Sequence, residues 1–551
     1  MFVRMAPKWY QIRVVTFDAT LEFKIKPSSS GRELFNQVCS TVGLREVWYF
    51  GLTYIDTKGI QKWVKLNKKI STVCKSKDGL MEFCFKVKFY PEEVSEELIQ
   101  DVTQRLFYFE VKKYIVSGDI YCSADGALLL ASYQAVIRHG KYDETIHKPG
   151  YLDISKYIPE HIRKQYTLTD EEWEAKISKW HEQHGDISKQ DAIMEYLKVA
   201  QDLEMYGISY FPIKNNKQTP LWLGVDALGL NIYGIDDRLT PKVSFPWNEA
   251  RKLAYSHCKF TVKPTDTTAK DLVFYCDSTS TCKLVLALCT GNHELYARRR
   301  GPDSIEVQQM KAQAKEMKNA RDMERERLLA ERRSRELMEE RYLKMERAMQ
   351  EQEIAYEISQ STLTDYQLKV KKLESQLEEE KRVRMELQAM QRRLEEVNQQ
   401  LELESAASVD ERLRLRQERD MVMEQIEQQQ RLIEEQAAEK HMLEVELAKR
   451  LDLSPINGDL RRDSGEQELQ CLDGLQKPED DRQALAVTDM DHAKRLEMMR
   501  RELDPTRDRR KLQQVDIQYE ENVSRGMDKY RTLHAIRQGN TKKRVDQFES
   551  M

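Results

Sequence analysis

Apolar and polar residues alternate in short stretches along the first part of the chain. Residues 9–27 alternate on both sides of Asp18 and Ala19, which predicts a β-hairpin. Ser30, with Glu33 three residues later, has the spacing of a capping box and predicts the start of a helix. Further strands are predicted at residues 47–55, 60–67 and 81–90. This order of elements predicts a β-grasp lobe.

The pattern then changes twice. Residues 92–206 carry apolar residues at spacings of three and four, which predicts a small helical bundle. From 208 to 286 the chain returns to short apolar stretches separated by turn signals, which predicts a sandwich of strands. A last strand is predicted at residues 282–288, and a helix at 293–300 is expected to cover one end of the sandwich.

A long stretch without chain breakers follows. Residues 303–454 contain neither glycine nor proline, which predicts a continuous helical spacer. The heptad pattern of apolar residues in this spacer is interrupted at residues 404–410, which favours an antiparallel helical hairpin. A single solvated helix and a parallel homodimer are the alternatives. Heptad spacing is found at Leu387, Met390, Leu394, Val397 and Leu401, between Leu415 and Val422, and between Ile426 and Ile433.

The last part of the chain combines a linker and a tail. Residues 455–487 contain glycine, proline and many charges and predict a flexible linker. Residues 488–551 predict helices with too little apolar content to bury a core alone, so they must stay loose or dock on another surface. Their apolar residues are Leu496, Met499, Leu503, Val515, Ile517, Leu533, Ile536, Val545 and Phe548.

Composition excludes several classes of protein. The 551 residues are 33% charged with a net charge of −4, which is not the balance of a nucleic-acid-binding protein. Nine cysteines without a C-x-x-C pair predict reduced thiols in a cytosolic protein. Because no run of 18 apolar residues exists, any membrane contact is expected to be peripheral.

Motifs of catalysis are missing from the sequence. No G-x-S-x-G, Walker loop or G-x-G-x-x-G is found, so we expect no enzyme and no cofactor. His181 and His184 have helical spacing beside Glu182, but without an evident third ligand they predict a surface pair rather than a metal site.

Several segments closely resemble the ezrin–radixin–moesin family. They include WYFGLTYIDTKG (48–59), WVKLNKK (63–69), LWLGVDALGLNIY (221–233) and the ending RQGNTKKRVDQFESM (537–551). The resemblance implies a multidomain α+β protein with a three-lobed FERM domain, a coiled-coil segment and a helical C-terminal tail. The lobes are ubiquitin-like (1–91), helical and similar to acyl-CoA-binding protein (92–207), and PH/PTB-like (208–302), followed by the spacer (303–454), linker (455–487) and tail (488–551).

The family resemblance also implies a function. Its members connect the plasma membrane to cortical F-actin and are autoinhibited when the tail covers the FERM domain, in cis or as a dimer in trans. The expected location is the cytoplasm and the inner face of the plasma membrane at the cell cortex. The second hypothesis is a signalling scaffold of the merlin type, which lacks this actin-binding ending.

Candidate binding residues on the three lobes (1–302), together called the head, follow from the same resemblance. Phosphatidylinositol 4,5-bisphosphate is expected at Lys65, Asn67, Lys68, Lys69 and Lys283. The alternation along residues 63–69 predicts that Trp63, Lys65 and Asn67 share one face of a strand. A second basic patch of the family corresponds to Cys258, Lys259, Thr267 and Thr268, so its charge is reduced, and Lys263 and Lys270 are candidates to compensate.

A groove on the third lobe is implied for basic peptides from the cytoplasmic tails of adhesion receptors, and scaffold proteins are further expected partners. Strand addition to a sheet edge is a general way to bind such peptides. The groove candidates are Arg251, Leu253, Tyr255, His293 and Leu295, some of which read equally well as core residues.

Two kinds of residue are implied in the tail. Thr532 corresponds to the regulatory phosphorylation site, and a phosphate adds about −1.5 to −2 charges that would oppose docking. The F-actin-binding candidates are Arg525, Lys529, Arg531, Arg537, Lys542, Lys543 and Arg544; without the resemblance they would read as a solvated helix face.

Overall fold

The structure, a computed structural model, describes residues 9–57, 59–73, 80–395, 466–468 and 482–551. Two compact units divide the chain: residues 1–318 with 455–551, and residues 319–454. The first unit contains three lobes and the tail, which confirms the three-lobed architecture. No described helix is long and apolar enough to cross a membrane.

Lobe one is a five-stranded sheet with the order β2-β1-β5-β3-β4, in which β1 runs parallel to β5. Helix α1 packs on it and begins where the Ser30 side chain accepts a hydrogen bond from Glu33 N, as the capping spacing predicts. The elements are β1 (Tyr10–Val15), β2 (Thr20–Ile25), α1 (Gly31–Val42), β3 (Phe50–Ile55), β4 (Gln61–Trp63), α2 (Ile70–Val73) and β5 (Leu80–Val87).

The strand predicted at residues 60–67 is shorter than expected. Strand β4 ends at Trp63, so Lys65 and Asn67 lie in the segment that follows the strand and not within it. The reason is that the following backbone pairs elsewhere. Gly31 N donates to Lys68 O at 2.9 Å and Arg32 N to Leu66 O at 2.9 Å, which turns this segment into a loop against the start of α1.

Lobe two is helical, as predicted, with α5 at its centre. Most residues of α5 are small or apolar and occupy nearly all sides of the helix. The helix is therefore buried along almost its whole length. The helices are α3 (Val94–Glu97), α4 (Asp101–Ser117), α5 (Ala124–His139), α6 (Glu160–Gln165), α7 (Asp170–Gln183) and α8 (Lys189–Gln201).

Lobe three is an antiparallel sheet closed by one long helix. Its strand order is β13-β10-β11-β12-β6-β7-β8-β9. The elements are β6 (Ser209–Lys214), β7 (Pro220–Val225), β8 (Gly229–Gly234), β9 (Asp237–Pro246), β10 (Ala250–Ser256), β11 (Lys259–Pro264), β12 (Leu272–Cys276), α9 (Thr279–Arg299) and, from the linker, β13 (Glu466–Glu468).

The strand predicted at residues 282–288 is wrong, because this segment lies inside α9. The Ser278 side chain caps the helix by accepting from Thr281 N. The buried residues Cys282, Val285 and Cys289 are spaced by three and four, so the apolar run is one face of a helix rather than a buried strand.

Helix α10 (Ile305–Glu395) confirms the helical spacer up to its last described residue. Its first turns lie against lobe one, where Val307 and Met310 are buried. The predicted hairpin depends on residues beyond 395, which lie outside the described residues.

The tail is helix-rich, as predicted. Of two short elements near the predicted linker (455–487), β13 lies within it and α11 (Leu485–Thr488) overlaps its end. The tail helices are α11 (Leu485–Thr488), α12 (Met490–Leu503), α13 (Gln514–Ser524), α14 (Lys529–Arg537) and α15 (Thr541–Ser550).

Candidate functional site

The tail covers lobes two and three. The side chains of Met499, Leu503, Val545 and Phe548 are at most 1% exposed and belong to the same apolar cluster as the core of the head. Apolar residues that cannot form a core of their own are thereby removed from water, and this burial supplies the main favourable term for docking.

Helix α12 attaches to lobe two through its arginines. The Arg500 guanidinium lies 2.8 Å from Asp125 Oδ2, and Arg495 donates to the Tyr133 hydroxyl at 3.4 Å. After the helix, backbone pairing takes over, with Thr167 N donating to Thr506 O at 2.9 Å. The tail is therefore held here by both backbone and side-chain contacts.

Asp516, on α13, is a buried polar anchor. It is 4% exposed and accepts hydrogen bonds from the Tyr121 hydroxyl at 3.0 Å and from Gln165 Nε2 at 2.7 Å. Oδ1 accepts from Tyr121 and Oδ2 from Gln165, and Gln513 N donates a further hydrogen bond to Oδ2 at 2.8 Å. A buried carboxylate with complete partners fixes the register of this helix.

Helix α14 places the Lys529 ammonium at the C-terminal end of α8. It donates to Gln201 O at 2.9 Å, Leu203 O at 3.1 Å and Tyr206 O at 3.4 Å. Carbonyls at a helix C-terminus lack internal partners and carry partial negative charge, so a cation suits them. Burial lowers the pKa of Lys529 to about 8.

Acidic side chains surround this ammonium. Burial raises the pKa of Asp202 to about 6 and that of Glu204 to about 7, and it also raises the pKa of Asp226. For all three carboxyl groups, burial outweighs the nearby Lys529 charge, which acts to lower the pKa. The junction has little capacity for another negative charge.

Thr532 lies one turn after Lys529 and is 8% exposed. It lines a small cavity together with Glu204, Asp226 and Asp528. A phosphate on Thr532 would meet these carboxyl groups at short range in a poorly hydrated space.

The last two helices attach to lobe three by two arginines, of which Arg537 is half-buried and Arg544 is buried. Arg537 Nε donates to Ser244 Oγ at 2.9 Å, and its Nη2 donates to Leu228 O at 3.1 Å. Arg544 is 3% exposed, contacts the Glu249 carboxylate directly, and donates to Arg537 O at 2.6 Å. Phe548, on the same helix as Arg544, is fully buried.

The predicted actin-binding residues therefore divide into two groups. Lys529, Arg537 and Arg544 form hydrogen bonds or an ion pair with residues of the head. The other four, Arg525, Arg531, Lys542 and Lys543, are exposed. The docked tail leaves only part of this basic set accessible.

The predicted phosphoinositide residues are all exposed. Lys65, Asn67, Lys68 and Lys69 lie in the loop after β4, and Lys283 lies in the first two turns of α9. Among the described residues, no hydrogen bond or ion pair joins Lys283 to this loop. Of the second patch, Lys270 lies 3.9 Å from Asp546 and 3.7 Å from Glu549, both in the tail.

The predicted peptide groove is partly core. Leu253, His293 and Leu295 are buried, Tyr255 is half-buried and Arg251 is exposed. Strand β13 pairs with β10, with Gln467 opposite Leu253. The sheet edge beside these candidates is thus taken by the protein's own linker.

The prediction that His181 and His184 form a surface pair is wrong for His181, which is fully buried, while His184 is half-buried. His181 Nε2 donates to Gly140 O at 2.7 Å, and His184 Nε2 lies 2.8 Å from Ser132 Oγ. Within the described ranges, no group of three or more His, Cys, Asp or Glu side chains could hold a metal ion.

Several docking partners were missed by sequence reasoning. They are Tyr121, Asp125, Gln165 and Glu249 in the head and Asp516 in the tail. No local signal marks them, because the partners are hundreds of positions apart. Asp516 in particular is one of many charged residues in its segment, so its burial cannot be recognised from the sequence.

Acid is expected to loosen the tail through His492, which is 4% exposed on α12. Burial and Arg495 lower its pKa, while Asp489 and Glu195 oppose this shift. A docked histidine with a lowered pKa stays neutral, so docking weakens as pH falls through the ordinary value of about 6.5, where a released tail takes up a proton.

The measurement is hydrogen exchange of the α12 amides, referenced to intrinsic rates at each pH. From about pH 7.5 to about pH 5.5, protection should fall more in the wild type than in His492→Gln. The comparison between the two chains is needed because Asp202 and Glu204, whose pKa values are raised, favour docking at low pH. Equal slopes for both chains would contradict the role of His492.

Comparisons with known proteins agree with this architecture. Three family models match in order: the FERM N-terminal domain at residues 14–76, the FERM central domain at 93–211 and the FERM C-terminal PH-like domain at 215–304. A fourth, the ezrin/radixin/moesin family C terminal, matches residues 475–551. The matched segments therefore include both the head and the tail.

Solved structures are also similar. The complex of the FERM and C-terminal domains of Drosophila Merlin is 46% identical, with 53% of this chain and 97% of that chain covered and a TM-score of 0.52. The MyTH4-FERM MF2 domain of Dictyostelium discoideum Myosin VII is 15% identical over 53% of this chain and 60% of that one, with a TM-score of 0.42. The ordered family matches and the near-complete coverage of the Merlin complex show that this chain belongs to the ezrin/radixin/moesin family and contains a FERM domain.

Proposed function

We propose that this protein links the plasma membrane to cortical F-actin and is held inactive by its own tail. The observation that supports this most strongly is that Lys529, Arg537 and Arg544 are engaged by the head. In the docked arrangement, the basic set expected to bind F-actin is incomplete. Release of the tail would expose these three cations together with the four that are already accessible.

On the membrane side, the exposed lysines after β4 support phosphoinositide binding. Ammonium groups on a loop can approach phosphates as point charges, and each contributes about 1 kcal/mol at an anionic surface. Lys270 would couple lipid binding to release of the tail from the head, because a lipid phosphate at Lys270 would compete with Asp546 and Glu549 of the tail. By reciprocity, the lipid that favours the open tail binds the open protein more tightly.

Receptor tails are proposed to bind at the edge of β10. The pairing of β13 with this edge shows that it accepts an extended segment. A peptide from the cytoplasmic tail of a membrane protein would have to displace β13, and this competition would make receptor binding depend on the state of the linker.

Replacing lysines in the loop after β4 is expected to weaken lipid binding. Lys68→Asn with Lys69→Asn removes two charges, or about 2 kcal/mol, and should weaken binding to vesicles containing phosphatidylinositol 4,5-bisphosphate by about thirtyfold in a co-sedimentation assay. The charge-matched control is Lys24→Asn with Lys141→Asn, both exposed elsewhere on the head. If the control loses as much binding as the test variant, this loop is not the lipid site.

A signalling scaffold of the merlin type is the second candidate, and the 46% identity to the Merlin complex favours it. The two functions differ in one assay. Full-length protein carrying Thr532→Glu, with and without phosphoinositide vesicles, is sedimented with F-actin. Increased sedimentation over the wild type supports the linker, and no sedimentation of the released chain under either condition supports the scaffold.

A further inference from the structure

A groove of about 500 Å³ lies between lobes one and two, away from the tail. It runs between the turn that follows β1 and one side of α4. Its volume is within the range of about 300–1,000 Å³ that is typical of small-molecule sites. The lining residues belong only to these two lobes, so no tail residue contributes to the groove.

The walls of the groove are largely apolar. Phe17 and Phe85 come from lobe one, with ring centroids 6.2 Å apart, and Phe109 and Val116 come from α4. Val15, at the mouth, is 41% exposed. An apolar chain placed here would be removed from water on several sides, which is favourable in proportion to the area covered.

Positive charge surrounds this apolar surface. Lys86, Lys112, Lys113 and Lys156 line the groove with a single carboxyl group, that of Glu110. With the described residues as possible partners, Lys86, Lys112 and Lys113 form no ion pair. Burial, followed by the charges of Arg138 and Lys156, lowers the pKa of Lys112 to about 8. An anion would relieve both the repulsion and the lost solvation.

Glu110 adds an unsatisfied polar atom at the base of the groove. It is 2% exposed, and its Oε1 has no hydrogen-bond partner. A buried polar atom without a protein partner is uncommon, and this oxygen is available to a ligand in the groove. Burial also raises the pKa of Glu110, which favours a protonated carboxyl able to donate to an anionic head group.

We propose that the groove binds a single-chain anionic amphiphile, with its hydrocarbon chain against Phe17, Phe85 and Phe109 and its anionic head near Lys112 and Lys113. The apolar walls exclude a free phosphate as the best ligand, and the lysines exclude a neutral lipid. The volume fits one chain rather than two. A fatty acid and a lysophospholipid share this chemistry.

The test is calorimetric titration of the full-length protein with oleate below its micellar concentration. We expect saturable one-to-one binding. Lys112→Gln with Lys113→Gln should weaken it by at least about tenfold, because charge-assisted contacts are lost. Val15→Trp should weaken it similarly by filling the mouth, at a position exposed enough to tolerate the change. Lys141→Gln, an exposed lysine of the same lobe, should bind as the wild type does.

Further ligands separate the possible sources of the signal. Lysophosphatidate that binds at least as tightly as oleate would extend the site to phosphate head groups, and inorganic phosphate alone should not bind. Monoolein that binds as tightly as oleate would overturn the charge assignment. A photoreactive fatty acid should label residues 109–117. Labelling elsewhere, or no effect of either groove variant on oleate binding, would overturn the proposal.

Discussion

Thr532→Glu is expected to release the tail from the head. The new carboxylate would be placed beside Glu204, Asp226 and Asp528, in a cavity where Thr532 is only 8% exposed. An uncompensated charge buried in a protein interface costs about 3 kcal/mol or more, which is on the order of a hundredfold in the closing equilibrium. Burial raises the pKa of Glu204 and of Asp226, so the cavity is poorly solvated and little water is available to screen the added charge.

Hydrogen exchange of the amides in α14 and α15 measures this opening directly. The matched control is Ser524→Glu, which adds the same charge at an exposed position on α13. Thr532→Glu should lower protection by about the factor given above, whereas Ser524→Glu should change it little. Unchanged protection in Thr532→Glu would show that the junction tolerates the charge and would remove the physical basis for regulation at this residue.

Arg544→Ala is expected to release the last helix from lobe three. Arg544 is 3% exposed and pairs with Glu249, which also accepts from the Thr541 hydroxyl at 2.8 Å. Removing one member of a buried ion pair costs about 3–5 kcal/mol in general. Because Glu249 is partly exposed, we expect about 2–3 kcal/mol, or roughly thirtyfold to a hundredfold in the protection of α15.

Lys543→Ala is the control, since Lys543 is the adjacent residue and is exposed. A double-mutant cycle with Glu249→Ala separates the pair from general loss of packing, and a coupling of about 1 kcal/mol or more is expected for a direct contact. Additive effects of the two substitutions would mean that Arg544 acts by packing alone.

Local patterns predicted the order of the lobes because each element carries its own signal. The Ser30 cap, the alternation in residues 9–27 and the breaker-free spacer needed no distant partner.

The predictions that failed depend on contacts outside the local pattern. Residues 282–288 form part of a helix because a cap at Ser278 starts it earlier than the apolar run suggests. Strand β4 stops at Trp63 because the following backbone pairs with the start of α1, a contact that periodicity does not encode.

The docking site was predicted only as a requirement that the tail be covered. Its chemistry depends on pairs such as Asp516 with Tyr121 and Arg544 with Glu249, which are joined by the fold and not by spacing. Resemblance supplied Thr532 and the basic residues, but it did not show that three of them are already engaged. Likewise, the sequence alone could not distinguish whether Leu253 and His293 are core residues or line a peptide-binding groove.

The position of Lys529 has a consequence for how the protein would return to rest. Once the tail has left, the last carbonyls of α8 and the carboxyl groups of Asp202, Glu204 and Asp226 face one another without their cation. Under the regulation proposed above, this uncompensated negative charge in the head would attract Lys529 and favour return of the tail once a phosphate is removed from Thr532. Resetting would then need only a phosphatase, with no further energy source.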